Sequence, residues 1–422
     1  MLASQFNRRR LLTNSARFIL GCSTLAPLTS NFGQTFQPDH EVTVTDMEVI
    51  VVNVTQRTKW IFVLLTASNG VTGLGEASLG RRSKLNELDT FFRLVEGQSP
   101  FDINQYRTRG WPRASAGNRA VATAFSAIEH ALWDIVGKTL SVPVYQLFGG
   151  KLRDSLPVYA NINRATSNRT PEGFAEKARQ AVADGFKAIK AAPFDGFPSL
   201  TASPNEISEA RQLGVDCVFA IREAIGDDIA IKIDAHSFFD VELSISVAEQ
   251  LLPANLSWFE EPIAPTQTTD TKRIHDSISQ TMAGGEFLFG VEGFAPLCEQ
   301  KAVDIIMPDI KHCGGLLEAI RIAAVADANG IKVSPHNPSG PVSTAASVAL
   351  CAALPNFDIL EYQWGEQPWR SNLVIPSENF VNGTIEINDS PGFGIVLNEQ
   401  VLAEHRSGER KSMSKAQKLS LR

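Results

Sequence analysis

The sequence predicts an α/β fold: an α+β capping domain followed by a modified (β/α)8 barrel of the TIM type. Three observations carry this expectation. After residue 156, short apolar strands alternate with amphipathic helices through eight strands. From the third strand onward, each strand ends on an ionisable residue. Before residue 150 the rhythm differs, with strands first and helices afterwards.

The elements follow in order. Residues 1–35 read as an export-signal-like leader. Arg8-Arg9-Arg10-Leu11-Leu12 precedes a mildly apolar stretch from Phe18 to Leu28, as in a twin-arginine signal. This favours the periplasm over the cytoplasm. A non-cleaved or disordered leader is the alternative, because Arg17 interrupts the apolar run and no small-residue cleavage site follows. Residues 42–155 form the capping domain. Val42–Val54, Trp60–Thr66 and Val71–Ala77 alternate as three strands of an antiparallel meander. From Leu85 to Gly137, apolar residues such as Ala124, Ile128, Ala131, Leu132 and Ile135 recur at helical spacing.

Residues 156–370 form the barrel, with strands expected near 157–161, 186–192, 229–234, 256–260, 281–286, 304–308, 331–335 and 357–361. Residues 371–400 return to strand and turn signals and are expected to pack on the capping domain. Residues 401–422 form a basic tail, in which 405–422 carry Arg406, Arg410, Lys411, Lys415, Lys418 and Arg422 with few apolar residues, the composition of a solvated segment.

The polar strand ends carry the chemistry. Asp234, Glu260 and Glu286 follow one another at intervals of 26 positions, about the length of one βα unit. Asp309, His336 and Glu361 continue the series on the sixth to eighth strands. In such a barrel the carboxyl ends of the strands carry the active site. One acid there is most simply a cap for the next helix. Three evenly spaced acids converging on one point repel each other unless a cation joins them. Oxygen-only donors suit Mg2+, with Mn2+ as a substitute. His336 and Asp309 sit on neighbouring strands, so the aspartate can fix the tautomer of a basic imidazole.

The bulk properties exclude other classes. The 422 residues are 43% hydrophobic and 20% charged, with a formal charge of −7, which disfavours nucleic acid as a partner. Five cysteines without a CxxC spacing argue against both a zinc site and a disulfide scaffold.

The motifs Asp234-Ala235-His236, Trp258-Phe259-Glu260-Glu261-Pro262, Gly284-Gly285-Glu286, Met307-Pro308-Asp309-Ile310-Lys311, Cys313-Gly314-Gly315-Leu316, Ser334-Pro335-His336-Asn337 and Leu360-Glu361-Tyr362 stand in one order. That order resembles the enolase superfamily, in its mandelate racemase-like branch, over residues 42–400. The resemblance implies Mg2+ bound by Asp234, Glu260 and Glu286, a carboxylate substrate, and a base that removes its α-proton to give an enediolate. It also implies that Glu361 hydrogen-bonds the enediolate, and that substrate is selected by loops near Thr55–Lys59 and Gly80–Lys84.

Two departures narrow the reaction. Racemases of the branch carry Lys-x-Lys on the second strand; here Lys190 matches the first lysine and Ala192 replaces the second. Two-base racemisation is thereby disfavoured, and Lys190 is left to polarise the carboxylate. His236, two residues beyond Asp234, is expected on the same strand face and is similar in position to the general acid of acid-sugar dehydratases. The expected function is dehydration of a sugar acid to a 2-keto-3-deoxy acid, by a homo-oligomer. Cycloisomerisation or epimerisation through the same enediolate is the alternative, and a non-catalytic acid-sugar-binding barrel a further one. The long loop from Asp195 to Asn205 is expected to cover the site or meet another subunit.

Overall fold

The computed structural model describes residues 42–408 together with 411 and 412. The leader-like segment, with Cys22, and most of the basic tail lie outside the described residues. The four described cysteines are buried free thiols.

The capping domain begins with β1 (Val44–Asn53), β2 (Lys59–Ala67) and β3 (Thr72–Glu76), an antiparallel meander. The helices α1 (Leu85–Phe92), α2 (Ile103–Ala116), α3 (Arg119–Thr139) and α4 (Val144–Leu147) follow. The Asn118 side chain starts α3 by accepting from the Ala120 and Val121 amides. The helix then lies directly on β3: a Cβ at Gly75 would collide with the Ala127 carbonyl. This explains why a strand tolerates the run Gly73-Leu74-Gly75.

The barrel runs β4 (Ser155–Asn161), α5 (Pro171–Ala183), β5 (Ala188–Ala191), α6 (Pro204–Ile225), β6 (Ala230–Asp234), α7 (Val241–Gln250), β7 (Trp258–Glu260) and α8 (Thr268–Ser277). It continues through β8 (Met282–Gly284), α9 (Gly290–Glu299), β9 (Ile305–Ile306), α10 (Leu316–Ala328), β10 (Lys332–Val333), α11 (Pro341–Ala353) and β11 (Leu360–Gln363). Neighbouring strands from β4 to β10 pair in parallel. The ring closes where β11 pairs in parallel with β4 and Phe357 bridges Val333. All eight expected strands are present. The barrel is modified because no barrel helix follows β11; a short helical turn at Arg370–Leu373 leads away instead.

Beneath the strand ends the lumen is filled by Tyr159, Ala188, Trp258, Ala283, Ile305 and Met307. Tyr159 and Trp258 meet edge to face at 5.4 Å. A buried Trp contributes about 3–5 kcal/mol by the usual cost of truncating it. The site therefore stands on a rigid floor.

The chain then adds β12 (Val374–Ile375), β13 (Phe380–Val381), β14 (Thr384–Glu386), β15 (Val396–Leu397), α12 (Glu399–His405) and β16 (Lys411–Ser412). β14 extends the sheet beside β4. Phe393 N donates to Asp134 of α3 at 2.8 Å, so the return reaches the capping domain. The reading of 405–422 as a solvated tail does not hold at its start. Leu402 is buried, His405 stacks on Trp369 at 3.9 Å, and β16 pairs with the free edge of β1 at Glu48 and Val49.

Buried acids join the cap to the barrel. Glu129 of α3 accepts the Leu316 and Leu317 amides at 2.6 and 3.2 Å, closing the amino end of α10. Gly315 must be glycine: its φ is 91°, and a Cβ there would strike the Glu129 carboxylate. Glu76, ending β3, does the same for α11 through the Gly340 and Ser343 amides at 2.7 and 2.8 Å. Arg107 of α2 reaches Glu129 at 3.2 Å and Glu318 at 2.5 Å.

Candidate active site

The strand register brings the expected acids together. Asp234 ends β6 and is directly opposite Glu260, which ends β7. Glu286 follows β8 after the left-handed Gly285, at φ 106°. All three are buried. Atoms of Asp234, His236 and Glu286 lie within 4.8 Å of one another, the spacing of a shared cation. Glu260 adjoins this group but is otherwise engaged: Lys190 Nζ donates to its Oε1 at 2.7 Å and Trp258 Nε1 to its Oε2 at 2.9 Å. Burial, then the charges of Asp234 and Glu286, raise the Glu260 carboxyl well above its ordinary range.

Lys190, on β5, is the internal counter-charge. Its ammonium lies 2.7 Å from Glu260, 3.2 Å from Asp234 and 3.3 Å from Glu361. Burial alone would depress it, but the surrounding acids win and hold it well above an ordinary lysine. Glu361 is ionised and strongly paired. Asn161 Nδ2 donates to it at 2.6 Å and the Asn337 amide at 2.7 Å. Despite burial, Lys190 and His336 pull its pKa down.

His336 and Asp309 meet as expected, Nδ1 to Oδ2 at 2.9 Å. Asp309 is held in turn by the Lys311 amide at 2.8 Å and its ammonium at 3.0 Å. The other imidazole nitrogen, Nε2, lies 3.0 Å from Glu286 Oε2. Burial opposes protonation of this ring, but Glu286 and Glu361 push its pKa up to about 10.

His236 reaches the site by a route the strand periodicity does not give. The strand stops at Asp234, and His236 and Ser237 turn into left-handed backbone, at φ 46° and 60°. The His236 amide donates to Asp234 Oδ1 at 2.9 Å, and the side chain folds back so that Nε2 is 3.2 Å from Asp234 Oδ2. Its Nδ1 is 2.5 Å from Asp195 Oδ1. Asp195 also accepts from Asn163 Nδ2 at 2.9 Å and pairs with Arg169 at 3.3 Å. The loop after β5 thus supplies a partner for His236. Two imidazole–aspartate pairs adjoin the carboxylates, His336–Asp309 at Glu286 and His236–Asp195 at Asp234.

Sequence reasoning missed the roles of Asp195, Asn163 and Arg169, which lie on two successive loops, after β4 and after β5. It also passed over Glu261, a buried acid whose Oε1 accepts the Gly285 and Glu286 amides at 2.7 and 3.1 Å. Burial and Glu286 raise the Glu261 pKa to about 7. The one signal was its place in Glu260-Glu261-Pro262. The two expected cap loops are adjacent: a Cβ at Gly80 would lie 3.0 Å from the Arg57 carbonyl.

Two buried oxygens bear on a metal. Asp234 Oδ2 and Glu286 Oε2 accept no well-formed hydrogen bond, although ammonium or imidazole nitrogens lie 3.0–3.2 Å away. Proximity without alignment leaves both lone pairs to a further electrophile. Hard, buried, ionisable oxygens with spare lone pairs fit a divalent cation.

Residues 173–401 match the Enolase C-terminal domain-like family, and residues 39–149 the Mandelate racemase / muconate lactonizing enzyme, N-terminal domain. This chain belongs to the enolase superfamily. Members of the enolase superfamily use a divalent metal. The chain is 32% identical to a D-gluconate dehydratase of Thermoproteus tenax, over 82% of this chain and 70% of that one. It is also 32% identical to a D-xylonate dehydratase of Haloferax volcanii, over 86% and 88%. A D-galactarolactone cycloisomerase of Agrobacterium fabrum is 29% identical, over 82% and 91%. Among solved structures, an enolase superfamily member from Salmonella Typhimurium aligns with a TM-score of 0.78 at 25% identity, covering 88% of this chain and 99% of that one. A mandelate racemase/muconate lactonizing enzyme from Jannaschia aligns at 0.77 and 29%, covering 88% and 99%.

Proposed function

We propose that this enolase superfamily member dehydrates a sugar acid to a 2-keto-3-deoxy acid, with Mg2+ held by Asp234, Glu260 and Glu286. The observation that carries the reading is the pair of imidazoles at the carboxylates, His336 against Glu286 and His236 against Asp234. His336 is set to take a proton and His236 to give one.

A bound divalent cation supplies positive charge to the substrate carboxylate as its oxygens gain electron density. The chain's own groups do the rest. With the charge of Glu286 neutralised by the cation, the pull that holds a proton on the His336 ring is relieved, and Nε2 takes the α-proton while its Nδ1–H stays on Asp309, which fixes the tautomer. The C–H electron pair moves into the carboxylate, giving the enediolate, and Lys190 places a second positive charge beside it. The pair then returns to form the C2–C3 double bond and expels the C3 hydroxyl. His236 protonates that group, which leaves as water. The enol takes a proton at C3 and becomes the ketone. Ala192 offers no second base, and Lys190 is tied to three acids. Both facts favour elimination over racemisation.

The test is incubation with aldonic and aldaric acids and MgCl2, followed by assay for 2-keto products. A stoichiometric 2-keto-3-deoxy product is expected from at least one acid. Deuterium entry at the α-carbon from D2O without any keto product would replace dehydration by epimerisation. Isomerisation of an aldaric lactone without water loss would replace it by cycloisomerisation.

A further inference from the structure

On the His336 side of the site, the first residue of α3 projects an arginine over the barrel mouth. The Arg119 guanidinium lies over the Phe287 ring, its central carbon 3.0 Å from the ring centroid. Phe287 follows Glu286 directly, is 42% exposed, and stands 6.0 Å from the His336 ring. These two separations place the guanidinium no more than 9.0 Å from that imidazole. Among the described residues no carboxylate forms an ion pair with Arg119, and its only described side-chain contact is Phe287. It is half-buried, and burial together with Arg82 lowers its pKa. Glu286, Asp309 and Glu261 are close enough to act on it electrostatically.

A half-buried guanidinium without an anion is costly, and a flat aromatic face satisfies only one side of it. Its edge remains free for a bidentate acceptor. We propose that the substrate is a sugar diacid, whose second carboxylate is bound by Arg119 while the first lies at the Asp234–Glu260–Glu286 centre. The assignment rests on the dehydratase reading. A hydroxyl at the far end would leave the cation unpaired. The reach also fits. The α-carbon must lie roughly 3–3.5 Å from His336 Nε2. A six-carbon chain spans roughly 6 Å between its carboxyl carbons. Arg82, exposed on the neighbouring loop, adds positive charge to the same mouth.

The test compares D-galactarate with D-galactonate, and D-glucarate with D-gluconate, which differ only at the far carbon. We expect kcat/KM for the preferred diacid to exceed that of its monoacid by about 30-fold, the value of one charged hydrogen-bonded pair. In Arg119→Met that ratio should collapse, through KM more than kcat, and Arg119→Lys should restore part of it. Preference for the monoacid, or for a monoacid phosphorylated at the far carbon, overturns the proposal. An unchanged ratio in Arg119→Met overturns it too. If no acid is turned over, the dehydratase reading fails by itself. Titration calorimetry of the same acid pairs, with Mg2+ present, then applies the same ratio criterion to binding.

Discussion

His236 Nδ1 sits 2.5 Å from Asp195 Oδ1, and this contact turns the opposite nitrogen of the ring toward Asp234. Asp195 touches none of the other acids named in the site, so its removal separates the two halves of the reaction. Asp195→Asn should lower kcat for dehydration about 10- to 100-fold, the usual effect of losing a partner that orients a working histidine. Exchange of the α-proton with D2O should continue, because His336 is intact. Equal loss of exchange and dehydration would show that Asp195 acts otherwise.

The proposal assigns the other half to His336 and Asp309. His336→Asn should abolish both exchange and product formation. Asp309→Asn should lower both by about 100- to 10,000-fold, since the tautomer is no longer fixed. Dehydration retained in His336→Asn would remove the ring from the role of base.

The spare lone pairs on Asp234 and Glu286 predict metal linkage that can be read without substrate. Mg2+ at 100 times its dissociation constant should stabilise the fold by about 2.7 kcal/mol. The melting temperature should therefore rise with MgCl2 after EDTA treatment. Glu286→Gln should flatten that response, and activity should be lost with EDTA and regained with Mg2+.

Arg107 bridges Glu129 and Glu318 in a buried cluster. Arg107→Met leaves the buried Glu129 without its cation and Glu318 with Arg321 alone, a change that costs about 3–5 kcal/mol. Urea denaturation should show a lower midpoint. An unchanged midpoint would mean that the amides of α10 suffice for Glu129.

His130 is fully buried on α3, with Nε2 3.2 Å from the Ile310 carbonyl, and burial lowers its pKa to about 4. The unfolded chain binds this proton near pH 6.5 and the folded chain only near pH 4. Stability from this residue is therefore complete above pH 6.5 and is lost as pH falls toward 4, by at most about 3 kcal/mol. His312, also held well below an ordinary histidine by burial, acts in the same direction. The acid-side fall in stability should be shallower in His130→Gln.

Much of this was legible in the sequence, for definite reasons. The barrel repeats one supersecondary unit, so strands and strand ends recur at nearly constant spacing, and Asp234, Glu260, Glu286, Asp309, His336 and Glu361 fall where expected. His236 was placed at the site for the wrong reason. Strand alternation would point it there, yet the backbone has already left the strand at φ 46° and the ring returns through a turn. Left-handed backbone at a histidine carries no periodic signal. The pairing of Asp195, Asn163 and Arg169 depends on two loops meeting in space. Glu260 looked equivalent to its two neighbours; only the folded chain reveals its engagement with Lys190 and Trp258. Arg119 was invisible because nothing local distinguishes it from any other arginine beginning a helix.

The acids Glu76 and Glu129 leave the cap to complete two helices that belong to the barrel. The cap is therefore a keystone and not a hinged cover. A chain shortened to begin at β4 would expose the first amides of α10 and α11 without partners, and would lose order at the strand ends those helices support. Large movements of cap against barrel would break the same bonds. On the proposed function, admission of substrate is left to the short turns at Thr55–Lys59 and Gly80–Lys84 and to the Asp195 loop. These can be rewritten in sequence, one preference for another, while the joint behind them stays fixed.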